Sequence, residues 1–199
     1  MKRIAIFASG GGSNTEKIIQ HFAKGNPNAA SNDATVVLIL SNKPEAGVLQ
    51  IAAANNIPSL IIEKEKFFRG NGYVDELRAA KIDLIVLAGF LWKIPSLLIN
   101  SFPGKIINIH PALLPAYGGK GMYGKFVHEA VIANKEKESG ISIHFVDALY
   151  DHGAIIFQAR CPVMETDTAE TLAHRIHLLE HEHFPKVIEK ILFELGSEE

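Results

Sequence analysis

Apolar residues fall in short blocks along this chain. Residues 4–8, 35–40, 59–62, 84–87 and 105–109 are apolar at nearly every position. That pattern fits strands buried on both faces, and hence a parallel sheet. Between the blocks, residues 15–24, 45–55 and 73–80 carry helix formers, so the repeated strand–helix order predicts a Rossmann-like, doubly wound α/β fold. After Tyr117 the pattern changes. Residues 125–134 predict a helix, and residues 141–146 and 154–163 predict two late strands, expected to add an antiparallel edge. A long helix over 169–195 closes the chain, with Thr168 placed to cap it ahead of Glu170 and Thr171. No repeat or linker divides the sequence, which reads as one domain over 1–199. Only residues 26–33 and the last few positions look loose.

One strand ends abruptly. In 106-IINIHPALLP-115, two apolar residues lead into Asn108 and His110, which alternate and so share one side of an extended chain. Pro111 and Pro115 then stop the strand. Ligands of open α/β sheets bind beyond the carboxyl ends of the strands, where both side chains stand. A neutral histidine gives or takes a proton near pH 7, and a carboxamide donates to an oxygen gaining negative charge. Together they suit acyl transfer; a lone histidine is more often satisfied in a turn. A carboxylate beside the histidine would strengthen the chemical reading. Asp151 and Asp147 both lie in 147-DALYDHG-153, where Gly153 permits a sharp return. Spacing does not choose between them.

The first strand runs into 9-SGGGSN-14 and then a helix. A glycine-rich turn converges backbone N–H groups, and a helix N-terminus favours an anion. Ser13 and Asn14 can cap the helix or reach a phosphate oxygen. No Gly-Lys-Ser/Thr follows, so this is not a Walker loop. The glycines are consecutive and 41-SNKP-44 offers no acid for a ribose, so it is not a dinucleotide fingerprint either.

Charge and composition narrow the classes. Lys and Arg total 20 against 22 Asp and Glu, a net charge of -2, which leaves no basic footprint for nucleic acid or an anionic membrane. Cys161 is the only cysteine, so intrachain disulfides and thiolate metal cages are excluded. It reads as a small buried hydrophobe in a reducing compartment. The apolar run before Ser9 is too short for a signal-peptide core, and 84-LIVLAGFLW-92 is soon interrupted by Lys93 and Pro95. A cytoplasmic protein is expected. His177, Glu180 and His181 spell the inverted zincin pattern on the last helix, yet no third ligand stands out, and a solvated or substrate-facing turn explains them better. No metal is expected. His144 reads as a polar-face residue or a supporting neighbour of the site. His128, His174 and His183 read as surface groups, and 63-EKEK-66 as a solvated face. Trp92 follows a Gly-Phe turn at a strand end, and packs the core or walls a pocket.

Three segments together, 9-SGGGSN-14, 108-NIHPALLP-115 and 144-HFVDALYDHGAII-156, resemble the phosphoribosylglycinamide formyltransferases of the folate-dependent formyltransferase superfamily. The resemblance runs from Arg3 to Leu192. It implies transfer of a formyl group from 10-formyltetrahydrofolate, a co-substrate, to the amine of glycinamide ribonucleotide, with no metal, nucleotide cofactor or covalent enzyme intermediate. It implies a phosphate-binding half over residues 1–100 and a folate and catalytic half over 101–199. Asn108 would hold the formyl oxygen, and His110 would stabilise or protonate the tetrahedral oxyanion. Asp151 would polarise His110 and help move the amine proton through water. Gly12, Ser13 and Asn14 match the phosphate turn, and Glu180 an acid on the ribose hydroxyls. Leu91, Trp92, Lys93, Ile94 and Asn108 would line the folate pocket, with Arg69 near a folate-contacting arginine. Two positions depart from the pattern: Trp92 stands where many relatives carry arginine, and 117-YGGKGMYG-124 is unusually glycine-rich. Within the superfamily, 10-formyltetrahydrofolate hydrolases add an N-terminal domain and initiator-tRNA formylases a C-terminal one. Outside it, a non-catalytic nucleotide-phosphate binding module would use the glycine turn but has no need of Asn108, His110 and Asp151. A monomer or homodimer is expected.

Overall fold

The structure is a computed structural model that describes residues 1–23, 25–27, 29 and 33–197. Part of the 26–33 segment, and the two last residues, therefore lie outside the described residues. The elements run β1 (Lys2–Phe7), α1 (Ser13–His21), β2 (Ala34–Ser41), α2 (Gly47–Ala54), β3 (Ser59–Ile61), α3 (Lys64–Arg69), α4 (Val74–Ala79), β4 (Leu84–Leu87), α5 (Ser96–Ser101), β5 (Ile106–His110), α6 (Lys125–Ala133), β6 (Glu138–Phe145), β7 (Ile155–Pro162) and α7 (Ala169–Ser197).

The strands form one seven-stranded sheet in the order β3-β2-β1-β4-β5-β6-β7. β1 to β5 are parallel, whereas β6 pairs antiparallel with β5, and β7 antiparallel with β6. This is the doubly wound sheet with an antiparallel edge that the strand pattern predicts. The continuous apolar runs are explained by two cores, one on each face. Ile4, Ile6, Val86, Ile107 and Ile143 face one cluster with α1, α2, α6 and α7. Ala5, Phe7, Ile85, Leu87 and Ile106 face the other, with α3, α4 and α5.

Two short helices were not expected from the sequence. In α3 the charged run 63-EKEK-66 covers only the outer side; Phe67, next along, is fully buried, and burying such a side chain contributes roughly 1.5–3 kcal/mol. The solvated-face reading is right for Glu63, Lys64 and Glu65, but Lys66 is half-buried, paired with Glu76 and over the Tyr73 ring, and the reading misses the helix that the run begins. In α5, Pro95 precedes a single turn and a half anchored by the buried Leu98. Both helices are too short for a periodic signal to develop. Among the described residues, no helix is long and apolar enough to cross a membrane.

Candidate active site

β1 leads toward β2 on one side, while its other neighbour is β4. Strand order reverses there, and the crevice at the carboxyl ends of such a pair is the usual ligand position. A cavity of about 780 Å³ opens at this point. The glycine turn after β1, residues 88–91 after β4, the end of β5 and the 119–126 segment form its wall.

β5 delivers Asn108 and His110 to that cavity, and the antiparallel register sets their neighbours. Asn108 stands opposite His144 and His110 opposite Ser142. The nearest groups form a closed set. His144 Nδ1 lies 2.8 Å from the Phe145 carbonyl, which can only accept, so that nitrogen carries a proton. In the neutral ring Nε2 then accepts from Asn108 Nδ2 at 3.1 Å. The second Asn108 N–H faces Asp151 Oδ1 at 3.4 Å, a long contact that a better acceptor can capture. Asp151 reaches in from the loop after β6. Its Oδ2 accepts the Gly119 N–H at 3.0 Å and lies 3.6 Å from His110 Nδ1, while its Oδ1 lies 3.6 Å from His144 Nε2. Asp147 is occupied elsewhere, accepting from Leu149 N–H at 2.8 Å and pairing with the exposed His152 at 2.9 Å.

His110 is buried, and its Nε2 donates to the Tyr117 carbonyl at 2.7 Å. That bond fixes the tautomer of the neutral ring and leaves Nδ1 as the basic nitrogen, turned toward Asp151. Burial pushes the His110 pKa below its usual value; the Asp151 charge and the Tyr117 carbonyl oppose that shift, and His144 adds to it. For Asp151, burial favours the neutral acid, but His144, His110 and the Gly119 N–H outweigh it and hold the carboxyl below the ordinary range. At neutral pH the site therefore contains a neutral imidazole beside a carboxylate.

The exit from β5 is held by more than its prolines. Buried Ser142 donates to the Ala112 carbonyl at 2.7 Å and accepts from Leu114 N–H at 2.9 Å. Gln158 Nε2 donates to Ser142 Oγ at 2.7 Å and reaches the Leu114 carbonyl at 3.1 Å. β6 and β7 thus hold the turn that carries His110 out of the strand.

At the other end of the cavity, α1 starts at Ser13, with Gly12 as its N-cap in the left-handed region and no side-chain cap. Ser13 and Asn14 lie in the first turn, whose N–H groups have no acceptor within the helix. Asn14 Nδ2 donates to Glu180 Oε2 at 2.8 Å, bringing α7 onto the turn. Burial raises the Glu180 pKa above the usual carboxylate value, against the Asn14 amide and His177. Ser9 joins this end to the wall after β4: its hydroxyl donates to Asn42 Oδ1 at 2.6 Å and accepts from Leu91 N–H at 2.9 Å.

The residues expected around the second ligand divide. Leu91 lines the cavity, and with Tyr123, Phe126 and Tyr150 it gives the rim exposed apolar surface. Trp92 stands behind that wall, half-buried against Phe67 and Phe68 at ring distances of 5.9 and 5.4 Å. Phe90, which does line the cavity, packs on the same group. Lys93 sits over the Tyr150 ring at 5.8 Å. Ile94 is buried in the core, and Arg69 is exposed and paired with Glu65 at 3.4 Å; neither lines the cavity. The His177 and His181 rings are parallel with centroids 6.3 Å apart, while Glu180 turns to Asn14. Among the described residues, no group of three or more such side chains stands ready for a metal.

The sequence pattern of the formyl transferase family matches residues 2–188. The chain belongs to the formyl transferase family. It is 43% identical over 192 residues to a chloroplastic phosphoribosylglycinamide formyltransferase of Arabidopsis thaliana, covering 94% of this chain and 64% of that protein. The phosphoribosylglycinamide formyltransferase of Bacillus subtilis is 39% identical over 196 residues, covering 96% and 95%. The chain thus spans less than two thirds of the plant relative and nearly all of the bacterial one. Among solved structures, the phosphoribosylglycinamide formyltransferase of Bacillus halodurans superposes with a TM-score of 0.84 at 35% identity, covering 96% of this chain and 95% of that one.

Set in the formyl transferase fold, two side chains gain parts that the sequence did not give them, and a third takes one of the two parts expected of it. His144, expected on a polar face or as a supporting neighbour of the site, is the latter, against Asn108 and Asp151. Ser9 reads in sequence as part of a turn, but spans two walls. His128 corrects an expectation. It is not a surface group but is 3% exposed and lines the cavity, because Val127 and Val131 turn α6 against the core and carry the ring inward. His174 is exposed as expected.

Proposed function

We propose that this formyl transferase moves the formyl group of 10-formyltetrahydrofolate onto the amine of glycinamide ribonucleotide. The observation that carries the reading is the grouping of Asn108, His110 and Asp151 within 3.6 Å contacts in one cavity whose far end is the glycine turn with Glu180. One end supplies acyl-transfer chemistry, and the other suits a phosphorylated ribose. The names of the relatives support the same substrates. In this reading Ser13 and Asn14 receive the phosphate and Glu180 the ribose hydroxyls. The apolar rim from Leu91 to Tyr150 takes the folate rings, with Trp92 holding Phe90 from behind. Lys93, Ile94 and Arg69 keep their assignment to the folate side, which for Ile94 means shaping the wall from within the core. The domain spans 1–199, its first half centred on phosphate and its second on folate. The compartment is one that keeps Cys161 reduced, the cytoplasm.

In this reading each group has a step. The second N–H of Asn108 leaves its long contact with Asp151 for the formyl oxygen, where negative charge develops as the amine attacks. Asp151, ionised at neutral pH, draws the amine proton toward Nδ1 of neutral His110, directly or through one water. The imidazolium so formed stands beside both the carboxylate and the oxyanion. It then gives the proton to the departing folate nitrogen as the tetrahedral intermediate collapses, so the proton count balances without a covalent enzyme adduct.

The test is a formyl-transfer assay with purified protein, 10-formyltetrahydrofolate and glycinamide ribonucleotide, beside a control lacking the ribonucleotide. Turnover that requires the ribonucleotide is expected; folate deformylation in the control tube would move the reaction to hydrolysis. A second expectation concerns Gly12, whose φ is +86° and whose added Cβ would lie 2.9 Å from Val48 Cα. Gly12→Ala should raise the KM for the ribonucleotide about tenfold or more, because strain and overlap together exceed the roughly 1.4 kcal/mol that a factor of ten represents. Steady-state titration of each substrate reads it, with little change expected in the folate KM.

A further inference from the structure

Among the buried polar side chains that the scheme above leaves unused, His128 is one that lines the cavity. It sits on the first turns of α6, 3% exposed, and lines the cavity. Its Nδ1 is sealed from solvent and has no hydrogen-bond partner among the described residues. Fixed protein groups do not answer it, although burial of an imidazole without partners is costly. The ring is close enough to both His110 and His177 to feel their charges. It shares the cavity wall with His110 at the formyl-transfer centre and with His177 and Glu180 of α7. A ligand with its phosphoribose on Ser13, Asn14 and Glu180 and its amine at His110 must run past this ring, and the atoms it presents there are those of its carboxamide.

Resting on the formyl-transfer reading, we propose that His128 is a substrate-binding residue that donates a hydrogen bond from Nε2 to the carboxamide carbonyl of the ribonucleotide. The sealed Nδ1 favours placing the ring proton on Nε2, where the ligand accepts it. The ring stays neutral throughout the working range, since burial and the neighbouring His177 and His110 push its pKa down to about 4. The contact is thus an uncharged donor to an uncharged acceptor. It selects a substrate that carries a carbonyl between ribose and amine, and it sets the distance from the phosphate seat to the attacking nitrogen.

The test separates the two substrates. His128→Ala should raise the KM for glycinamide ribonucleotide about tenfold, the size of one neutral hydrogen bond. The KM for 10-formyltetrahydrofolate should move less than about twofold, and kcat should fall less than the ribonucleotide KM rises. His128→Gln, which keeps an N–H donor, should recover part of the loss; it also carries the test if the alanine variant fails to fold. A carbothioamide analogue, whose sulfur accepts poorly, should be discriminated against by wild-type protein and much less by His128→Ala. An unchanged ribonucleotide KM in a folded variant would overturn the assignment. So would a rise confined to the folate KM, or equal discrimination against the thioamide in both proteins. A wild-type protein that does not formylate glycinamide ribonucleotide would overturn the underlying reading, and this inference with it.

Discussion

Asp151→Asn is expected to lower kcat by roughly 10²–10⁴-fold, the range associated with a positioned proton-transfer group, while the fold persists. The amide fills the same space, and an asparagine tolerates the positive φ of 52° that Asp151 adopts. What it removes is charge. In the wild-type site that charge raises the affinity of His110 for a proton, against burial and His144, which lower it. The sign of the pH effect follows. Activity requires His110 neutral before the amine proton arrives, so the acid limb of kcat falls where His110 becomes protonated, below the usual histidine range. Without the carboxylate, only the Tyr117 carbonyl still favours the imidazolium, and the His110 pKa drops further. The residual activity of Asp151→Asn should therefore hold to lower pH than that of wild type. A pH profile of kcat for both proteins reads this directly. A limb that moves to higher pH, or a variant with near-normal kcat, would remove Asp151 from the proton path.

Stability carries a related signature. Asp151 has a folded pKa below its unfolded value, so its contribution is present above the unfolded pKa and is lost as pH falls through the folded one. Asp151→Asn should accordingly flatten part of the acid side of the stability curve.

The fold was legible wherever a pattern ran long enough to show its period. Four of the five parallel strands announced themselves because both of their faces are buried, the edge strand β3 by its apolar residues alone, since Ser59 and Ile61 are exposed, and α7 because it runs for 29 residues. The six-residue helices α3 and α5 were not legible: one buried Phe67 or Leu98 makes no periodicity. The site was legible at Asn108 and His110 because two polar residues interrupt an apolar strand, which physical chemistry rarely tolerates without use. Spacing did not decide between Asp151 and Asp147, which only the family resemblance separated, since both occupy one loop and the path of the chain beyond β6 aims one inward. His128 misled for the opposite reason. A histidine beside Glu129 on a helix start resembles a solvated turn, and its burial depends on how α6 docks, which no local pattern states. His144 lay between these cases. Its place on a strand was clear, but its contact with Asn108 rests on a register that pairs residues 36 apart in sequence.

Gly153→Ala is expected to cost about 3 kcal/mol of stability and at least tenfold in kcat, and the two losses share one atom. A Cβ at Gly153 would stand 1.8 Å from the Phe145 carbonyl oxygen and 2.8 Å from its carbon. Both are backbone atoms, so the strand itself must shift, which places the cost at the upper end for an overpacked site. Phe145 is also bonded through its N–H to the Ala154 carbonyl at 2.9 Å, so moving it loosens the start of the β6–β7 pairing. The Phe145 carbonyl itself accepts the Nδ1 proton of His144. Displacing it releases the His144 ring, which alone fixes one N–H of Asn108 and so aims the other toward the formyl oxygen. The loop bearing Asp151 hangs from the same position, two residues away. A misplacement of about 1 Å in such a set can cost roughly 100-fold, so a tenfold loss allows for partial relaxation. Urea unfolding gives the stability change, and kcat measured on protein shown to be folded gives the other. Near-normal kcat in a destabilised Gly153→Ala would mean that the hydrogen-bond chain from Phe145 through His144 to Asn108 supports the strand and does not aim the amide.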